Sequence, residues 1–245
     1  MDFVEDHLDL ILVPAGLLIM FTYHLYLIYR IIRNPSTTAI GYQNQSRMLW
    51  VESMMQNGSS SLAVSVVSNN TWSAIYLGNI TLSVSILIGS WVGSTSGSFS
   101  KYVFLAGNNS TFTINLKYIC MLLAFMLAFG SFAQSAKYFI QIDYFISTPS
   151  SDLPVIDVQS AMLRANNFWQ VGFRFVYFAM AFLFWSFGPI PMFASCVVMV
   201  VLLSFLDFNP ARPVSKTQVK KVIEEVLHRY RPMGKPLVKK KVMEV

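Results

Sequence analysis

Apolar positions in this chain come in long blocks. Five runs of mainly apolar residues are separated by shorter polar stretches: roughly Leu8–Ile32, Ser61–Gly93, Leu116–Ile142, Val171–Phe187 and Ile190–Phe208. A helix of about 20 apolar residues crosses the hydrocarbon core of a bilayer. The first three runs meet that length. The last two form one block, Phe168–Phe208, with no charged side chain between Phe175 and Leu206. That block is too long for one straight span. The Gly188-Pro189-Ile190-Pro191 break must either kink a single helix or turn a hairpin of two short ones, each near the lower limit of about 17 residues.

The pattern predicts an all-α polytopic bundle of five spans, with four as the alternative if the last helix is single and kinked. Short amphipathic elements accompany it. Ser46–Gln56 places Met48, Val51 and Met55 on one face, as a helix on the membrane surface or against the rest of the protein. A second amphipathic helix is expected from Asp157, an acceptable N-cap, leading into the fourth span. The helix starting at Ser61 is longer than a bilayer is thick, so its first part, through Asn69-Asn70, should project from the membrane.

Charge then orients the bundle. Only 12% of the 245 residues are charged and 54% are hydrophobic, against about 25% charged in soluble domains. Residues 209–245 carry ten Lys/Arg against three Glu, a net of +7, leaving the other 208 residues at −1. Short loops rich in Lys/Arg stay cytoplasmic. Arg30, Arg33 and Arg47 follow the first span, Lys137, Arg164 and Arg174 surround the loop after the third, and the tail is basic. The Ser/Thr/Gly/Asn loop at 94–115 holds a single charge, Lys101. Only a hairpin at Gly188–Pro191 satisfies all four, giving an outside N-terminus and a cytoplasmic C-terminus in the plasma membrane or an endomembrane. The acidic start (Asp2, Glu5, Asp6, Asp9) argues that the first run persists as a span and is not a signal peptide.

Two domains follow: a bundle at 1–208 and a basic cytoplasmic tail at 209–245. Ser215 and Gln218 form a capping box there, and Val219, Val222, Ile223, Val226, Leu227 and Tyr230 form an apolar stripe. Lys220, Lys221, Arg229, Lys239, Lys240 and Lys241 are the candidate contacts to anionic lipid. Nucleic acid is not expected as a partner, because no binding fold accompanies the charge.

Small residues mark helix-packing faces. Ala74, Gly78, Thr81, Ser85, Gly89 and Gly93 recur at steps of three and four in the second span; Cys120, Ala124, Ala128, Ser131 and Ser135 do so in the third. In lipid such faces let helices approach closely. The two faces are expected to meet each other, or else another span or another subunit, and a homo-oligomer is expected.

Polar groups inside spans are costly and usually face the bundle interior or water. His24, Asn69, Asn70, Asn79 and Arg174 are the candidates. His24 could line a path or hydrogen-bond another helix. Asn79 reads as interhelical glue, and Asn69 and Asn70 as caps or cross-links near the cytoplasmic interface. Arg174 could snorkel to head groups or form a gating pair with Asp143 or Asp157; Lys137 could snorkel likewise. Cys120 and Cys196 read as small buried side chains. No HExxH, CxxC, GxSxG or Walker loop is present, so neither metal, cofactor nor enzymatic reaction is expected.

The opening LDLILVPAGLLIMFTYHLYLIYR, Asn69-Asn70, the FWxxGxRxxYF string at Phe168–Phe178 and FGPIPMF at Phe187–Phe193 together resemble a family of plant membrane proteins. It is known as domain of unknown function family 599, and the resemblance covers about residues 1–208. It departs at Ser68, where the family pattern has arginine, and the basic tail is longer. The resemblance implies an integral membrane protein from a plant and brings no reaction, ligand or catalytic residue. Three functions are consistent with the pattern: a small oligomeric channel or transporter; a scaffold or regulator acting through its basic tail; and, least supported, a lipid-processing enzyme.

Overall fold

The computed structural model describes residues 2–56, 60–94, 111–148 and 154–208. Six α-helices and one 3-10 turn account for nearly all of them: α1 (Asp2–Arg33), the turn at Pro35–Thr37, α2 (Ala39–Gln56), α3 (Ser60–Ser94), α4 (Thr111–Ser147), α5 (Val155–Trp185) and α6 (Pro189–Asp207). Five of them, all but α2, are long and apolar enough to cross a membrane.

The hairpin at Gly188 is present. The chain leaves α5 through Ser186 and Phe187, whose amides still bond to Leu183 and Phe184 carbonyls. Gly188 then adopts φ 126° and ψ 171°, a region essentially reserved for glycine. Pro189 opens α6 at its first turn, where a missing N–H costs nothing. Arg174 on α5 and Asp207 on α6 form an ion pair at 2.6 Å although they are 33 residues apart. In one continuous helix that separation would be about 50 Å.

The helices α3, α4 and α5, of 35, 37 and 31 residues, are about 46–56 Å long, against roughly 30 Å of hydrocarbon. The surplus lies on one side and forms its own core with α2. Val51 of α2, Val67 of α3, Phe139 and Ile142 of α4, and Val158, Ala161, Met162 and Ala165 of α5 are all buried there. This corrects one expectation and decides another. The fourth span has no separate amphipathic helix before it and no short first arm, because Val158, Ala161, Met162 and Ala165 give residues 155–170 an apolar face and nothing interrupts the helix before Trp185. Of the two placements open to the piece at Ser46–Gln56, the structure shows packing against the rest of the protein: the helix starts at Ala39 and packs on α5.

Side-chain amides dock α2. Asn166, fully buried, donates to Asn44 at 2.6 Å; Asn44 donates to Asn167 at 3.1 Å; Gln170 donates to Gln43 at 3.0 Å; and Gln159 donates to the Met48 carbonyl at 3.0 Å. Thr38 caps α2 by accepting the Gly41 amide at 3.2 Å. A β-carbon at Gly41 would overlap the Pro35 carbonyl. Within the same cap, burial pushes the Arg47 guanidinium below its ordinary value.

The small faces pack differently from their expected pairing. Gly78 of α3 sits where a β-carbon would touch Phe129 and Phe132 of α4, and Gly89 sits against Leu122. The small face of α3 thus receives large side chains of α4. The small face of α4 meets α5: Ser135 donates to the Ala165 carbonyl at 2.8 Å, and Ala124 clusters with Ala179. Large side chains set against small ones interdigitate and fill the space between the helices.

Candidate functional site

Where α1, α5 and α6 converge, four polar side chains come together inside the apolar bundle. Tyr23 is on α1, Arg174 on α5, and Asp207 ends α6. The Tyr23 phenol donates to one Asp207 carboxylate oxygen at 2.6 Å, and an Arg174 N–H donates to the other at 2.6 Å. Asp207 is 5% exposed and Tyr23 7%. Both carboxylate oxygens therefore hold short, charge-assisted bonds, which offset the cost of burying the ion.

His24, half-buried, completes the cluster. Its Nδ1 lies 2.7 Å from the Met20 carbonyl. A carbonyl only accepts, so Nδ1 carries the proton, and in the neutral ring Nε2 is a lone pair. That Nε2 is buried without a hydrogen-bond partner among the described residues, as is Nη1 of Arg174. The His24 ring rests 5.1 Å from Phe178 and edge-on to Tyr23 at 5.4 Å. The site thus retains one buried acceptor and one buried donor. Below it, Arg30 lies 5.7 Å from the Phe208 ring and 6.0 Å from Tyr26, closing the end of the helix group.

A second polar group lies at the other end of the same helices. The Trp185 indole donates to Asp9 at 3.2 Å, and Lys117 of α4 places its ammonium 5.6 Å over that indole. Lys117 is 1% exposed and its Nζ has no hydrogen-bond partner among the described residues. Fourteen residues of α1 separate Asp9 from Tyr23, about 21 Å of rise. Between the two groups lies an apolar layer of Val13, Met20, Ala181, Met192 and Cys196. The arrangement is two polar stations with an apolar barrier between them.

Of the residues singled out from sequence, the structure brings His24 and Arg174 together. The partner of Arg174 is Asp207, not Asp143 or Asp157, and the ion pair is largely buried between α5 and α6. Asn69 and Asn79 face outward and Asn70 is half-buried; none joins the site. Lys137 is exposed on α4. Gly78, Ser85, Ala124 and Ser131 are buried and Gly89 half-buried at helix contacts. Cys120 and Cys196 are free thiols. Lys220, Lys221, Arg229, Lys239, Lys240 and Lys241, with the expected tail helix, lie outside the described residues. Asp207, Tyr23, Lys117, Asp9 and Trp185 were not marked by sequence pattern. Asp207 and Asp9 stand at run ends, Lys117 just inside one, and Tyr23 is masked among interfacial tyrosines; a charge bordering an apolar run was the available signal.

No curated protein and no solved structure matches the chain. The family described as "Protein of unknown function, DUF599" matches residues 11–211, a stretch that contains the Tyr23–Arg174–Asp207 cluster, Lys117, Trp185 and the hairpin between α5 and α6 but not Asp9, and the chain belongs to that family.

Proposed function

We propose that the protein is a transport-class membrane protein that carries protons or another small ion, as a subunit of a homo-oligomer. The observation that supports this best is the buried Tyr23–Asp207–Arg174 cluster with His24 beside it. Charged groups inside a membrane are costly and are typically kept at ion paths and proton relays. This cluster holds a spare acceptor and a spare donor at one end of an apolar barrier, and the Asp9–Trp185–Lys117 group stands at the other. The Met20, Met192 and Cys196 barrier suits a path closed at rest and opened by helix movement. In this reading the N-terminus is outside and the C-terminus cytoplasmic, the protein comes from a plant, membrane lipids are its surroundings, and no metal, cofactor or enzymatic reaction is involved.

The test is ion flux in liposomes containing the purified full chain, read with a pH-sensitive dye and a potential-sensitive dye. Flux of H⁺ or a common ion that falls at least tenfold in Asp207→Asn supports the reading. No flux for any ion, or flux unchanged in Asp207→Asn and His24→Leu, defeats it.

The net charge of +7 in residues 209–245 favours a second reading, a scaffold or regulator whose tail meets anionic lipid. Deletion of 209–245 tests it: unchanged sedimentation with phosphatidylserine vesicles and unchanged cellular placement would remove its support.

A further inference from the structure

The outer face of α3 is an edge of the bundle. Within the chain α3 packs on α4 and touches α2 slightly. No charged residue lies anywhere in Ser60–Ser94. On the outward side, Asn69, Trp72, Tyr76, Asn79, Ser83 and Ile86 are all exposed, and they follow one another at alternating steps of three and four. That is the 3.5-residue repeat of a helix-pairing seam, in which two helices cross at about 20° with a left-handed twist.

The chemistry of this seam does not fit lipid. Acyl chains offer no hydrogen bond, and an amide left among them costs several kcal/mol. Asn79 lies between Trp72 and Trp91, aromatic residues of the kind that mark membrane interfaces, and is near the middle of that interval. Its side chain makes no hydrogen bond among the described residues. The large apolar residues Ile80 and Leu87, 59% and 69% exposed, lie beside the seam and suit lipid contact.

We propose that a second copy of this chain packs on this face, α3 against α3, with the two Asn79 amides hydrogen-bonded to each other across a two-fold axis along the membrane normal. Two copies in one membrane have the same topology, so their α3 helices run parallel and Asn79 meets Asn79. An amide carries both a donor and an acceptor, so the same group on both sides satisfies itself, as an isologous interface requires. A single Asn in such a seam also fixes register and favours two strands. Ser83, one step along, is small enough for close approach. The neutrality of α3 makes a charged partner a poor match and a second copy a good one. This interface does not depend on the transport reading.

The test uses full-length protein in liposomes at low protein density. In a Cys120→Ala background, Ser83→Cys should form a disulfide-linked dimer on mild oxidation, while Leu18→Cys on the lipid face of α1 should not. Counting photobleaching steps on labelled protein should give pairs for the wild type. Asn79→Leu should weaken the pair by about three- to twenty-fold, and Asn79→Gln should retain it. Cross-linking of Ser83→Cys no greater than that of Leu18→Cys overturns the proposal. So does an unchanged monomer fraction in Asn79→Leu.

Discussion

The Tyr23 hydroxyl and the Asp207 carboxylate, 184 residues apart in the chain, meet at 2.6 Å. This bond ties the first span to the end of the last one, and the Arg174 ion pair ties both to α5. Removing single members should hurt unequally. Asp207→Ala leaves the Arg174 guanidinium buried without an anion, so a loss of about 3–5 kcal/mol is expected. Tyr23→Phe removes only one bond to a charged group, about 1.5–3 kcal/mol. Arg174→Leu with Asp207→Leu leaves no charge stranded and should recover most of the stability but not the flux. Urea or detergent unfolding midpoints compared with liposome flux check this. A double variant as unstable as Asp207→Ala would show that the pair is not what the helices lose.

Gly188 is the only described residue with positive φ. Gly188→Ala would place a side chain in a conformation that costs on the order of 1–3 kcal/mol, at the point that sets α5 antiparallel to α6. The expected outcome is a lower unfolding midpoint and poorer membrane insertion of α6. The latter is read by protease protection of a tag after residue 208, which should be cytoplasmic in the wild type and mixed in the variant. A variant as stable as wild type, with a uniformly cytoplasmic tag, would mean that the turn does not depend on this glycine.

Two other glycines should respond in opposite ways. A β-carbon at Gly172 would sit 2.7–2.9 Å from the Phe132 ring, and that ring is fully buried and edge-on to Trp169 and Phe173. It has nowhere to go, so Gly172→Ala should cost about 1–3 kcal/mol. At Gly130 nothing lies within 4 Å of the added carbon, and Gly130→Ala should be neutral or stabilising by up to about 1 kcal/mol. Thermal unfolding in bicelles distinguishes them, and equal effects would contradict the packing of α4 on α5.

The spans were legible because run length, charge and turn chemistry agree. Arg30, Lys137 and the basic tail argued for a hairpin that the Arg174–Asp207 pair now closes. The length of α3 was legible as well, since the apolar run at Ser61–Gly93 is one uninterrupted helix. What the pattern could not carry was pairing across the fold. Small residues at steps of three and four announce a close helix contact without naming the partner, so the α4 face reads equally well toward α3 or α5. Asp207 escaped notice because a carboxylate at the end of an apolar run looks like an ordinary interfacial residue until the hairpin returns it to Arg174. The amides of Asn44 and Asn166 gave no periodic signal; their value lies in meeting each other.

Lys117 and Trp185 touch, yet their replacements should affect stability differently. The Trp185 indole does two things: its N–H holds Asp9 at 3.2 Å and its face supports the Lys117 ammonium at 5.6 Å. Trp185→Phe loses the N–H and keeps a weaker face, so a cost of about 1.5–3 kcal/mol is expected. Lys117 itself brings a buried ammonium with no hydrogen bond among the described residues, and the Asp9 carboxylate is the nearby charge that offsets part of that cost. Lys117→Met keeps the length of the side chain and removes the ammonium, but leaves the Asp9 carboxylate with the indole and without its cation. Its unfolding midpoint should stay near that of the wild type, and Lys117→Met with Asp9→Asn, which strands no charge, should exceed it. If transport is the function, both variants lose flux while staying folded, the opposition expected of a group kept for activity and not for stability. A fall in stability for Lys117→Met as large as that for Trp185→Phe would instead make Lys117 a structural cation, and the Asp9–Trp185–Lys117 group would cease to be a site.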